Sequence, residues 1–390
     1  PAATALPLDD QQLHLSGLPP GATRVWTGEG AVMIQSAHHK WEPAGATHAA
    51  MRTQSERVSA HWAQAWQGGQ GLYWTDSTLV QKRLNAKVSG DPDTDWLTYT
   101  LQLHLAGCLP LARCLSLGCG HGHVERRLAE LGAFISCDAI DVSEGAVSAA
   151  LRLSAAAGHG NITYVVQDIN RINLPPQLYD AVWAHASVHH FQRLEHVFAQ
   201  VAASLKPGGL FILNEYVGPS CFQFPSRQQQ AIQACLDLLP VAYRRLTPAA
   251  LDHTQTAQGK RDLRWLVKRT LDKLCDGDLF ETVRRRVQRA QAISAGVRPS
   301  KMSANLPTVR TVIAVDPSEA VRSADILPSL HRYFEIVEYK PLGGTVLQFL
   351  LADIAGNFQD ELGQQLLEML FVIEDVLMDT GDLGSDFAYI

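Results

Sequence analysis

Between residues 113 and 216, short apolar runs alternate with stretches of helical periodicity. This alternation restricts the fold more than any other feature of the chain. "ARCLSLG", "ISCDAIDV", "ITYVVQDI", "YDAVWAHA" and "FILNEY" read as strands. Between them, "HVERRLAELGA" reads as a helix stopped by Gly132, and "SEGAVSAALRLSAAAG" as a helix with Ser143 at its N-cap. "LEHVFAQVAASL" is a third helix, closed by the turn "KPGG". Strands separated by helices of this length need right-handed crossovers, so the pattern predicts an α/β fold with a mostly parallel sheet. Ligands of such sheets bind outside the carboxyl ends of the strands.

The first strand runs into "LGCGHGH", in which Gly118, Gly120 and Gly122 alternate with Cys119 and His121 before a helix begins. Glycines at this spacing let the backbone turn tightly and approach a ligand. The pattern alone is weak. Its context is stronger, because Asp141 closes the next strand 19 residues after Gly122 and can accept both hydroxyls of a ribose. An adenosine-bearing ligand is expected, with Val142 beside that acid. "QDI" ends the third strand and places Asp168 and Ile169 where a carboxylate can accept from the exocyclic amine of adenine.

These motifs resemble the class I S-adenosylmethionine-dependent methyltransferases. The resemblance covers roughly residues 110–216 and 330–352, on "LGCGHG", "DVS", "QDI" and "LKPGG" together. It implies a Rossmann-like, seven-stranded, mostly parallel sheet of order 3-2-1-4-5-7-6, with S-adenosylmethionine as cofactor and S-adenosylhomocysteine as product. It also implies that the backbone carbonyl of His185, at the end of the fourth strand, meets the methionine ammonium. "LNAKVSGDPDTDW", "NEYVGPSCFQF" and "LLADIAGNF" are similar to a bacterial subgroup with uncharacterised small-molecule or glycan substrates, which suggests secondary metabolism. One departure stands out: Ser116 occupies the place, two residues before Gly118, where the family often has an acid.

The methyl carbon of a sulfonium is already activated, so the protein has mainly to position a nucleophile and remove its proton. His189 and His190 follow the fourth strand, and either suits a general base. A helix-capping or core role is the competing reading. Glu215 and Tyr216 end the fifth strand and are candidates for orienting the acceptor. "DPSEAVRS" reads as an N-capped helix with a Glu319–Arg322 pair, and a substrate role for Arg322 stays open.

Five segments are expected: an N-terminal extension (1–109), a cofactor-binding core (110–217), a basic helical insertion (218–310), a core completion containing an antiparallel hairpin around "PLGG" (311–354), and a C-terminal helix (355–390). "TRVWTGEGAVMIQ" could pair as a short hairpin. Six of the eight tryptophans precede residue 105, and of these Trp74 is a minor candidate for a ligand contact through its ring face. Residues 241–310 hold 15 Lys+Arg against 6 Asp+Glu, or +9, although the whole chain carries −6. The overall charge argues against nucleic acid, and the basic stretch suits a solvated helix face or attraction of an anionic or carrier-bound acceptor. The insertion and the tryptophan-rich extension are expected to form a lid over the strand ends.

No apolar run is long enough to span a membrane, and the N-terminal stretch has no signal-peptide pattern, so a cytoplasmic protein, monomer or homodimer, is expected. Seven cysteines without a CxxC pair predict free thiols, and no metal site is expected. The reading that follows is methyl transfer to an oxygen or nitrogen of a small metabolite. The alternative is S-adenosylmethionine as sole substrate, cyclised to azetidine-2-carboxylate with release of methylthioadenosine. A nicotinamide dehydrogenase and a non-catalytic binding module are the remaining readings.

Overall fold

A computed structural model describes residues 25–27, 30–32, 73–251, 287, 291–292, 294–304 and 306–390. Nine strands form one sheet: Val25–Thr27 (β1), Gly30–Val32 (β2), Leu111–Leu117 (β3), Phe134–Asp141 (β4), Ile162–Val166 (β5), Tyr179–His185 (β6), Leu205–Tyr216 (β7), Lys340–Gly343 (β8) and Phe387–Tyr389 (β9). Their order is β2-β1-β5-β4-β3-β6-β7-β9-β8. Strands β5, β4, β3, β6 and β7 run parallel, and β9 pairs antiparallel with both β7 and β8. Seven strands thus have the order 3-2-1-4-5-7-6 that the resemblance implied. The short β1–β2 pair adds an antiparallel edge to β5.

The helices among the described residues are Thr78–Ser89 (α1), Trp96–Leu103 (α2), His123–Glu130 (α3), Glu144–Ala156 (α4), Leu194–Ser204 (α5), Ser226–Leu238 (α6), Val309–Val315 (α7), Ile326–Leu330 (α8), Leu347–Leu351 (α9) and Glu361–Asp379 (α10). Ser143 caps α4 as its sequence suggests, accepting from the Ala146 amide. None of these helices is long and apolar enough to cross a membrane.

The sheet is buried on both faces, which explains why its central strands are continuously apolar rather than alternating. Leu111, Cys114 and Trp183 face one layer with Leu128 of α3 and Val147 of α4. Leu115, Leu117 and Val182 face the other, with Val197 and Phe198 of α5.

A third cluster packs α6, α9 and α10 together with Trp74 and Val80. Arg83 of α1 pairs there with Glu374 of α10, whose other oxygen accepts from the Val346 and Leu347 amides at the start of α9. Trp74 is core in this cluster, 5.2 Å from the ring of Phe387.

The closing strand pair differs from expectation. The hairpin around "PLGG" does not form: β8 ends at Gly343, and the chain turns into α9. The partner strand is β9, at the end of the segment expected to be helix alone. Thr345 to Leu351 is apolar enough for either state, and burial against α6 and α10 selects the helix. Much of the basic insertion, residues 252–286 among it, and residues 33–72 lie outside the described residues, so the expected lid does too in large part.

Candidate active site

Strand β3 pairs with β4 on one side and with β6 on the other, so the chain leaves it in opposite directions. The crevice this opens at the carboxyl ends is where a ligand fits. The glycine loop lies there. Gly118 has φ +70° and sits so close to the loop after β6 that a Cβ would overlap the Ser187 side chain. Gly122, at φ +75°, caps α3, and a Cβ there would meet the Tyr164 hydroxyl. Ser187 donates to the Leu117 carbonyl at 2.8 Å, tying the two loops across the crevice. Ala186 holds φ +47°, unusual for a residue with a side chain, and such strain clusters at functional sites.

Asp141 ends β4 with its carboxylate on the glycine loop. It accepts from the Gly120 amide at 2.9 Å and from the Ser143 amide at 2.8 Å. Burial raises its pKa from the ordinary carboxylate value. Val142 follows it directly. Cys119 is a buried thiol, pushed up by burial and by the Glu125 and Asp141 carboxylates.

Asp168 follows β5 and caps the turn Ile169–Arg171, accepting from the Asn170 amide at 3.0 Å. Ile169 is buried beneath it. Asn170 in turn accepts from the Gln192 and Arg193 amides, joining this turn to the loop after β6. His185 ends β6, its Nδ1 3.2 Å from the Asn214 carbonyl and its ring 5.4 Å from Trp96 of α2. The N-terminal helix α2 therefore reaches the mouth of the crevice.

Ser116 has a partner that the sequence does not reveal. Its hydroxyl donates to Glu125, a fully buried acid in the first turn of α3. A carboxyl missing from the strand thus lies under the same loop, supplied by the helix. Burial raises the Glu125 pKa to about 7, and the Ser116 bond only partly opposes this. An acid held neutral in the folded chain, but ionised when unfolded, stabilises fully below pH ~4.5 and loses that contribution as pH rises toward ~7. The shift is worth roughly 3 kcal/mol. Glu125→Gln is expected to remove that slope, so denaturation of protein and variant at pH 5 and pH 8 should diverge. Superimposable pH dependences would show that Glu125 is not the neutral acid.

The histidines meet at the end of β7. Glu215 is buried and accepts from the Ser187, Val188 and Tyr216 amides at 2.8, 2.6 and 2.6 Å, and from His189 Nδ1. Burial would raise this acid, but His189 and the amides outweigh it and its pKa is lowered. Burial opposes charge on His189 too, yet Glu215 raises its pKa. Burial and the neighbouring His189 push His190 down.

The two imidazoles lie 4.2 Å apart, and both Nε2 atoms face Glu319, at 3.6 and 3.9 Å. His190 Nδ1 contacts Ser318 Oγ at 3.0 Å, and that hydroxyl donates to Asp316 at 2.7 Å. The fourth candidate, Tyr216, sets its ring edge-on to His189 at 6.1 Å, but its hydroxyl points away and donates to the Pro219 carbonyl at 2.9 Å, and the ring also packs on Phe222 and Phe387.

Glu319 is a residue the sequence reading placed differently. "DPSEAVRS" forms turns rather than a helix here. Arg322 does not pair with Glu319 but holds Glu195 of α5 through two 2.8 Å bonds, and Asp325 at 2.8 Å. Glu319 is left to face the histidines.

A family described as "Methyltransferase domain" matches residues 115–213, from the middle of β3 into β7. That stretch contains the glycine loop, Asp141, Asp168, His185 and both histidines. Residues 115–213 therefore carry a methyltransferase domain of the class I S-adenosylmethionine-dependent kind. S-adenosylmethionine is the methyl donor in this family, and S-adenosylhomocysteine the product.

Among relatives, 27-O-demethylrifamycin SV methyltransferase of Amycolatopsis mediterranei is 33% identical over 37% of this chain and 50% of its own. Sterol 24-C-methyltransferase of Yarrowia lipolytica is 33% identical over 28% of this chain and 29% of its own. Ubiquinone biosynthesis O-methyltransferase of a Bradyrhizobium species is 34% identical over 27% and 41%. The chain spans half or less of the length of each. The methyltransferase core fits an adenosine ligand on its own residues: a Cβ at Gly118 or Gly122 would clash, and Asp141 offers a half-buried carboxylate on the loop.

Proposed function

We propose that this protein transfers the methyl group of S-adenosylmethionine to an oxygen or nitrogen of a small metabolite. The observation that carries the reading is the group of Glu215, His189, His190 and Glu319 at the carboxyl ends of β6 and β7. Ser187, two residues before His189, abuts Gly118 of the loop proposed to hold the donor. A proton can therefore be taken from an acceptor close to the methyl group. Asp141 would hold the ribose, Asp168 and Ile169 the adenine, and the carbonyl of His185 the ammonium of the donor's methionine.

When bound, the sulfonium supplies an electrophilic carbon. The chain's own task is to orient the acceptor, exclude water and relieve the acceptor of its proton. Two of the relatives carry names that place methylation on oxygen and one on carbon; the histidine–carboxylate group, suited to taking a proton from a heteroatom, favours oxygen or nitrogen. The excess of Lys and Arg between residues 241 and 310 favours an anionic or carrier-bound acceptor.

The test is incubation with methyl-labelled S-adenosylmethionine and a panel of hydroxylated and amino metabolites. Label is expected in an acceptor, with equimolar S-adenosylhomocysteine. Methylthioadenosine formed from S-adenosylmethionine alone would overturn this reading in favour of intramolecular cyclisation.

A further inference from the structure

We infer that His189, His190 and Glu319 form a binding site for a first-row divalent cation such as Zn²⁺ or Fe²⁺, placed to hold the acceptor. The inference deepens the methyltransferase reading and rests on it.

Three donors of the right kind converge. One ligand atom from each residue lies within 4.8 Å of the other two. An ion ~2.1 Å from nitrogen and oxygen donors fits such a set after small side-chain rotations. Two imidazoles and one carboxylate favour zinc or iron over magnesium, which prefers oxygen donors alone.

The surroundings are those of a built site. A metal-bound imidazole usually gives its other ring N–H to a carboxylate or a similar acceptor, which fixes the tautomer and ring orientation. Both histidines have that arrangement. Nδ1 of His189 is held by Glu215, whose remaining capacity is filled by three backbone amides. Nδ1 of His190 meets Ser318, whose hydroxyl donates to Asp316 and so can accept from the ring. Each Nε2 is thereby left facing the carboxylate of Glu319, and an ion seated between them would take the Nε2 lone pairs and displace any proton held there.

The backbone holds the donors together. The Val321 amide donates to the His189 carbonyl at 3.1 Å, and the Cys221 amide to the Ala320 carbonyl at 2.7 Å. Ala320, next to Glu319, sits at φ +48°. Three protein ligands leave coordination positions open. An acceptor hydroxyl or amine bound there would lose its proton more readily, to the Glu319 carboxylate oxygen that does not hold the ion. Its lone pair would then form the bond to the methyl carbon as the S–CH₃ bond breaks, the electron pair remaining on sulfur.

The test uses the full chain, stripped with a chelator, titrated with Co²⁺ and followed by visible absorption and calorimetry. S-adenosylhomocysteine binding is measured on the same samples. One Co²⁺ per chain is expected, displaced by Zn²⁺. Glu319→Gln and His190→Gln should each weaken uptake at least tenfold while S-adenosylhomocysteine still binds, which shows that they remain folded. If the protein takes up no Co²⁺ or Zn²⁺, or if both variants bind the ion as it does, the site is refuted. Retained S-adenosylhomocysteine binding would then leave the methyltransferase reading standing. Loss of that binding in the unaltered protein would refute the reading itself, whatever the ion does.

Discussion

Glu215→Ala is expected to lower the free energy of unfolding by about 3–5 kcal/mol, because it strips a buried network of its one acceptor. Glu215 is 1% exposed, and its carboxylate accepts from three backbone amides as well as from His189. Each buried amide left without a partner costs about 1–3 kcal/mol. The loss falls on Ser187, Val188 and Tyr216, which shape the loop after β6 and the end of β7. Glu215→Gln separates shape from charge. Its amide oxygen can still accept from part of the set, so the expected loss is smaller, while turnover should fall at least tenfold as His189 loses its orienting carboxylate. Chemical denaturation and single-turnover methyl transfer measure the two effects. A destabilisation below about 1 kcal/mol in the alanine variant would show that the network is not the anchor described.

Asp141→Ala is expected to weaken S-adenosylhomocysteine binding about 100-fold, or about 2.7 kcal/mol. The carboxylate does two things at once. It fixes the glycine loop through Gly120 and the start of α4 through Ser143, and in the proposed reading it also accepts from the ribose. Asp141→Asn keeps the volume and one oxygen but forfeits an acceptor, so an intermediate loss is expected. Calorimetric titration of both variants provides the check. An affinity within threefold of the unaltered protein would move the ribose site away from β4.

Much of the core was legible in the chain. The period of the apolar runs and the glycine, Ser143 and "KPGG" signals place five parallel strands and their helices, because local conformation follows from local sequence there. The closing strand pair was not legible. Thr345 to Leu351 and Phe387 to Tyr389 are both apolar; packing against α6 and α10 makes the first a helix, and pairing between β7 and β8 makes the second a strand.

The same division runs through the site. Gly118, Asp141, Asp168 and the two histidines stand out because each belongs to a strand end and its loop, a local feature. Glu125 hides as an ordinary first-turn acid of α3, and its relation to Ser116 exists only once helix folds over strand. Glu319 hides as the partner of Arg322, three residues away, until Arg322 is drawn to Glu195 of α5. The amino-acid sequence by itself determined the five parallel strands, the glycine loop and the methyltransferase domain, since these depend on residues near one another in the chain. Only the tertiary structure decided which carboxylate faces the histidines, because that choice is a competition among charges more than 100 residues apart, settled by burial.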